Sequence, residues 1–138
     1  MILSLADARR VIAAGERRAH ELGQPMNIAV VDEDGNLVSH VRMDGAWTGN
    51  VDVSISKAVS ARQGGEAAAA ARVFDLAAAG ARWDSPNGTA RTAGHEPGGV
   101  AAGGVPLVRG GAVIGAVGVS GGSRAQDRAV ADAAVAAL

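Results

Sequence analysis

Asn27-Ile28-Ala29-Val30-Val31-Asp32-Glu33-Asp34-Gly35-Asn36-Leu37-Val38-Ser39-His40-Val41-Arg42 is the stretch on which the fold turns. Asn27 to Val31 is a short apolar run, consistent with a buried strand. Glu33-Asp34-Gly35-Asn36 interrupts it, and Asp-Gly between two such runs predicts a hairpin turn of type I′. The second run alternates, which places Leu37, Ser39, Val41 and Met43 on one side and Val38, His40 and Arg42 on the other. Outward from this hairpin the pattern recurs. Val105 to Arg109, the Gly110-Gly111 turn and Ala112 to Ser120 read as a second hairpin. Each is followed by a helical pattern, so the chain reads as hairpin then helix, twice, behind a leading helix. Two tight hairpins predict an antiparallel sheet with helices packed on it, an α+β domain in α-β-α layers. About five strands are expected, a short fifth one falling within 82–100.

The leading helix starts at Ser4, where Asp7 three residues on completes a capping box. Leu5, Ala8, Ile12, Gly15, Ala19 and Leu22 give it an inner face, while Arg9, Arg10, Glu16, Arg17, Arg18 and Glu21 give it a solvated one. His20 falls on the polar side and reads as surface. Gly23 suits a left-handed C-terminal position, and Pro25 forbids continuation. The second helix starts at Asn50 and runs to Gly64-Gly65, with Val51, Ile55, Ala58 and Val59 as its predicted apolar stripe and Lys57 beside it. Glu66 to Ala81 is Ala-rich and strongly helical. Arg82 to Gly104 is irregular, with two Pro and six Gly, the kind of long segment that is functional or disordered. Gly115 and Gly118 inside the last strand predict close approach by a helix, another backbone or a ligand. Ser123 and Gln126 form a second capping box before the terminal helix, whose inner positions are Ala129, Val130, Ala133, Ala134 and Ala137.

At 138 residues the chain is one domain, 1–138, long enough to bury roughly 68% of its unfolded surface. It has no Cys, so disulfides and thiolate metal sites are excluded. A net charge of −1 and three aromatic residues leave neither a basic footprint nor stacking platforms for nucleic acid. No apolar run approaches the length of a membrane span, and the N-terminus lacks the basic region of a signal peptide, so a cytoplasmic protein is expected. The core must be built from Ala, Val, Leu and Ile. So little bulk per residue favours further burial by homo-oligomerisation.

The polar residues gather at one corner. Arg42-Met43-Asp44-Gly45-Ala46 ends the second strand, and Asp52, Ser56 and Lys57 return on the next helix. Such a corner serves either as an ion-paired brace or as the wall of a polar pocket. Trp47, in the loop between, is a lid on a ligand or a plug in a subunit interface. Lys57 is placed to reach Asp44 or a ligand anion. Ser120-Gly121-Gly122-Ser123, a Gly-rich strand-to-helix turn, offers either capping alone or backbone N–H groups to an anion, though without the Lys of a P-loop. His95-Glu96, an imidazole next to a carboxylate in the irregular segment, is a candidate acid–base pair or metal ligand, or else a polar loop.

Two motifs in order carry a family resemblance. Val30-Val31-Asp32, Gly35-Asn36-Leu37-Val38, Arg42-Met43-Asp44-Gly45-Ala46, Asp52 and Lys57-Ala58 form the first; Gly103-Gly104-Val105-Pro106-Leu107, Val113 to Gly122 and Gln126-Asp127 form the second. Together they resemble the GlcG/HbpS/PduO-C-terminal family over almost the whole chain. The resemblance implies a profilin-like fold, a homo-oligomer and a small-molecule-binding protein, with haem or another carboxylate-bearing ligand. With such a ligand, Arg42 and Lys57 would meet its carboxylates and His95 would be the most available axial ligand; Asp44, Trp47, Gly121 and Gly122 are the further ligand-binding candidates that the corner and the glycine turn offer. The alternative is a small catabolic enzyme that works on an anionic metabolite by isomerisation, hydration or hydrolysis. There Arg42, Lys57 and the glycine turn hold the anion, and His95 and Glu96 move protons.

Overall fold

The computed structural model describes residues 2–64 and 102–138. In chain order these form α1 (Leu5–Leu22), β1 (Asn27–Asp32), β2 (Leu37–Arg42), α2 (Asn50–Gly64), β3 (Gly104–Arg109), β4 (Ala112–Ser120) and α3 (Arg124–Val135). The four strands make one antiparallel sheet in the order β2-β1-β4-β3. Among the described residues the sheet has four strands rather than about five. The range expected to hold a fifth lies outside them, as does the Glu66–Ala81 helix.

Local chemistry sets the helix ends. Ser4 Oγ accepts the Asp7 N–H and Asp7 Oδ2 accepts the Ser4 N–H, both at 3.0 Å, which closes the capping box of α1. Gly23 ends that helix at φ 68°. Ser123 and Gln126 do for α3 what Ser4 and Asp7 do for α1. Asp7 also receives two hydrogen bonds from Arg109 of β3, at 3.1 and 3.2 Å, and so ties the start of α1 to the sheet's edge.

The hairpins differ from each other in their turns. Only Gly35 has a positive φ in the first, so it is not type I′. Asp32 Oδ1 holds the N–H groups of Asp34 and Asn36 at 3.0 and 2.9 Å, and that carboxylate shapes the loop instead. Gly110 and Gly111 are both positive, the backbone that a two-residue hairpin loop requires. Val30 faces Ser39 while Val31 faces Leu37, so Val38 is a bulge residue. The predicted alternation therefore holds from Ser39 to Arg42 and breaks before it: Val38 packs with Val41 on the core, and Leu37 is half exposed.

The two faces of the sheet are packed in different ways. α1 and α3 cover one face, burying Val11, Ile12, Ile28, Val30, Val117 and Val130 in a conventional aliphatic core. α2 covers the other, where among the described residues Ala29, Val31 and Ala116 meet Ala58 and Ala61 of the helix, with Ile55 and Val59 partly buried beside them. Small residues let the helix lie almost on the strands. A Cβ on Gly118 would collide with the Ser54 carbonyl and lie 2.6 Å from the Ala58 nitrogen, so the close neighbour predicted for this glycine is the α2 backbone. Gly115 meets the Val31 carbonyl of β1 in the same way.

Candidate functional site

With little apolar bulk beneath it, α2 buries a polar stripe. Asn50, Ser54 and Lys57, spaced four and three residues apart, all point at the sheet with Val53, Ala58 and Ala61. This differs from the predicted stripe: Val51, Ile55 and Val59 are only half buried, and Lys57 lies at the centre of the buried face.

Lys57 crosses the sheet to α3. Its Nζ donates to the Ala102 carbonyl at 2.8 Å, the Val119 carbonyl at 2.9 Å and Asp127 Oδ2 at 3.1 Å, matching three acceptors to the three donors of an ammonium. The two side chains are 1% and 5% exposed. Asp127 Oδ1 accepts the Gly122 N–H at 2.9 Å. Burial pushes the Asp127 carboxyl up to about 6, against the pull of the Lys57 charge and the Gly122 N–H. Lys57 thus meets Asp127 and not Asp44. The Gly121-Gly122-Ser123 turn is filled likewise by the chain's own groups, since the Ser123 N–H goes to Gln126 Oε1 at 2.8 Å.

A second polar cluster lies at the other end of the stripe. Asn27 of β1, 0% exposed, stands opposite Arg42 on one side and Ser120 on the other. Its Nδ2 donates to the Trp47 carbonyl at 2.9 Å, and the Ser120 hydroxyl donates to Asn50 Oδ1 at 3.2 Å. Asn27 Oδ1 and Asn50 Nδ2 remain buried without a partner, one acceptor and one donor around the same serine. Such atoms cost about 1–3 kcal/mol each unless something meets them.

The predicted corner surrounds this cluster. His40 and Arg42 share the α2 side of β2, as the alternation requires. His40 Nε2 lies 3.3 Å from the Ser54 hydroxyl, and burial, then the nearby Arg42 charge, lowers its pKa. The imidazole is therefore neutral at pH 7. Arg42 Nη1 reaches back to the Ala46 carbonyl at 3.4 Å and braces the loop that carries Trp47, whose ring is partly exposed. Asp44 and Asp52 are exposed.

Asp44 also lines a groove of about 230 Å³ with Ala19, His20, Gly23, Gln24, Pro25 and Met43. By helical spacing alone His20 falls on the solvated face of α1, but the turn after Gly23 brings Pro25 and Met43 alongside the last turn of that helix, a contact the spacing does not show. Gly23 followed by Pro25 was the available signal, since a helix that stops and reverses leaves its final turn beside the returning chain. His95 and Glu96 lie outside the described residues. Among the described residues there is no group of three or more His, Asp or Glu side chains that could hold a metal ion, and no helix long and apolar enough to cross a membrane.

Residues 3–136 match the family model described as haem degrading protein HbpS-like. A protein of unassigned function from the dhaT–dhaS intergenic region of Citrobacter freundii is 37% identical over 136 residues, 96% of this chain and 89% of the relative. Among solved structures, a double mutant of HbpS from Streptomyces reticuli is similar with a TM-score of 0.73 and 30% identity, over 100% of this chain and 88% of the other. A complex of PduOC with heme is similar with a TM-score of 0.72 and 28% identity, over 100% of this chain and 96% of the other.

Proposed function

The chain belongs to the HbpS-like family, and from that membership we propose that it is a haem-binding protein that takes the group at the groove beside its predicted corner. The observation that carries this reading is the similarity to the PduOC–heme complex along the full length of the chain. The groove supports it. His20 and Met43, the imidazole and thioether types of axial donor, line one depression whose remaining wall includes Pro25 and Ala19. At about 230 Å³ it is smaller than the roughly 300–1,000 Å³ of pockets that enclose a ligand, so it suits the edge of a macrocycle. His20 would hold the iron and Met43 would pack or ligate from the buried side. When bound, haem supplies redox-active iron. The chain's own part is to offer an imidazole nitrogen, exclude water with Pro25 and Met43, and position Arg42 and Trp47 at the neighbouring loop.

Haem titration followed by gel filtration tests this. A Soret band should appear, saturate at one haem per site and co-elute with the protein. His20→Ala should shift or abolish it, whereas His40→Ala should not, because His40 is turned to Ser54. Loss in His95→Ala alone would move the axial role to that residue. No retained Soret band in the wild-type protein would end the haem reading.

A further inference from the structure

We propose that Asn27 is a positioning residue for the groove, a role that rests on the haem reading of that groove. Its buried amide holds the Trp47 carbonyl and so sets where the loop that carries Met43 and Asp44 stands.

The two walls of the groove are built unequally. One is the last turn of α1, which fixes itself: the Gly23 N–H donates to the His20 carbonyl and the Gln24 N–H to the Ala19 carbonyl, both at 3.0 Å. The other is Met43-Asp44, at the start of the stretch between β2 and α2. The Met43 N–H extends the sheet by one bond, to the Met26 carbonyl at 3.0 Å. Two short turns in series follow. The Ala46 N–H reaches the Met43 carbonyl at 3.0 Å, with Gly45 at φ 85°, the positive value that the third position of a type II turn needs. The Asn50 N–H reaches the Trp47 carbonyl at 3.1 Å. Each turn closes only on itself, so neither fixes the direction of the loop over the sheet.

Asn27 supplies that direction. Its Nδ2 donates to the Trp47 carbonyl at 2.9 Å, from a side chain of β1 that is 0% exposed. Among the described residues the other side-chain bond to this loop, Arg42 Nη1 to the Ala46 carbonyl at 3.4 Å, is long and comes from an exposed residue. So tied, the first turn leans on the groove, since a Cβ on Gly45 would lie 3.5 Å from Pro25 Cγ. The tether also leaves a mark on the core. With Nδ2 on the carbonyl, Asn27 Oδ1 is buried without a partner, and the flipped amide would set oxygen against oxygen. A leucine of similar size would strand nothing here, because the Trp47 carbonyl keeps the Asn50 N–H. Stability alone therefore does not require an amide at this position, whereas the placement of the loop does.

Asn27→Leu tests the role, beside Asn50→Ala, which disturbs the same cluster but keeps the backbone N–H on Trp47. In the full chain without haem, Asn27→Leu should shift the amide NMR signals of residues 43–48, speed hydrogen exchange at Ala46, and melt within a few degrees of the wild type. On haem titration it should bind at least tenfold more weakly and with a displaced Soret band, while Asn50→Ala binds as the wild type does. If Asn27→Leu does not fold, Asn27→Ser, too short to reach the carbonyl and without added bulk, gives the same comparison. Unmoved signals at 43–48, wild-type haem affinity in the Asn27 variant, or an equal loss in Asn50→Ala would each overturn the proposal. A wild type that retains no haem ends the haem reading alone, and the signals at 43–48 then decide whether Asn27 holds this wall.

Discussion

The two ends of the α2 stripe make an instructive pair. Both bury polar side chains against the same sheet face and are almost inaccessible to water. At the Lys57 end the ammonium, the Asp127 carboxylate and the Gly122 N–H meet one another directly. At the Asn50 end an acceptor on Asn27 and a donor on Asn50 are left over. A face so poor in large apolar groups relies on polar contacts to hold its helix. A buried network with every member met rigidifies, whereas one with members left over holds its helix less firmly. The Lys57 end therefore acts as a latch between α2 and α3, and the Asn50 end, beside Arg42 and Trp47, is the adaptable one.

The largest expected effect comes from breaking the latch. Asp127→Ala leaves a buried ammonium without its carboxylate, and urea unfolding should show a loss of about 3–5 kcal/mol. Lys57→Met combined with Asp127→Leu should recover more than half of that, since no charge is then stranded. A double variant as unstable as the single would mean that the carbonyl contacts, not the charge pair, carry the latch.

Acid sharpens the comparison. The fold raises the Asp127 carboxyl to about 6, above an ordinary aspartate near 3.9, so the folded state holds that proton more tightly than the unfolded chain does. This group's contribution to stability therefore rises as pH falls from about 6 toward 4. Asp127→Asn resembles the protonated form, so the stability difference between it and the wild type should change across that window and level off below it. At the Asn50 end, His40 is the neighbouring group whose titration the fold shifts, and burial lowers it. Asp7 works oppositely: Arg109, Ser4 and Arg10 hold its carboxyl far below the usual range, so the stability it lends is lost only in strong acid.

Asn50→Ala should be milder. It removes the acceptor of the Ser120 hydroxyl together with a leftover donor, and about 1 kcal/mol is expected by thermal unfolding. A loss as large as that of Asp127→Ala would show that a bound water or ligand completes this cluster. Arg42→Ala should be smallest for stability, about 0.5 kcal/mol or less, because Arg42 is exposed and makes one long contact. Its effect should appear in ligand binding instead.

Much of the fold was legible because its signals are local. Both capping boxes, the Gly23 stop, the paired glycines at 110–111 and the shared face of His40 and Arg42 all follow from neighbours in sequence. The misreadings have physical causes that neighbouring residues do not reveal. An apolar stripe is the expected inner face of a helix, but α2 lies so close to Gly118 that Ser54 and Lys57 fill the contact, and Val51, Ile55 and Val59 turn partly outward. Lys57 and Asp127 are seventy positions apart, and only the strand order brings their helices to opposite sides of one sheet end. The bulge at Val38 depends on a turn shaped by Asp32, which the Asp-Gly pair concealed. The corner was found, but its depth was not: Asn27 reads as an ordinary strand residue until Trp47 and Ser120 are seen around it.

The most direct measurement is haem titration of three proteins side by side: wild type, His20→Ala, and the Lys57→Met/Asp127→Leu double variant. The account expects a retained Soret band in the wild type, its loss or displacement in His20→Ala, and a spectrum close to wild type once the latch is replaced by apolar groups. A band unaffected by His20→Ala but abolished in the double variant would contradict it.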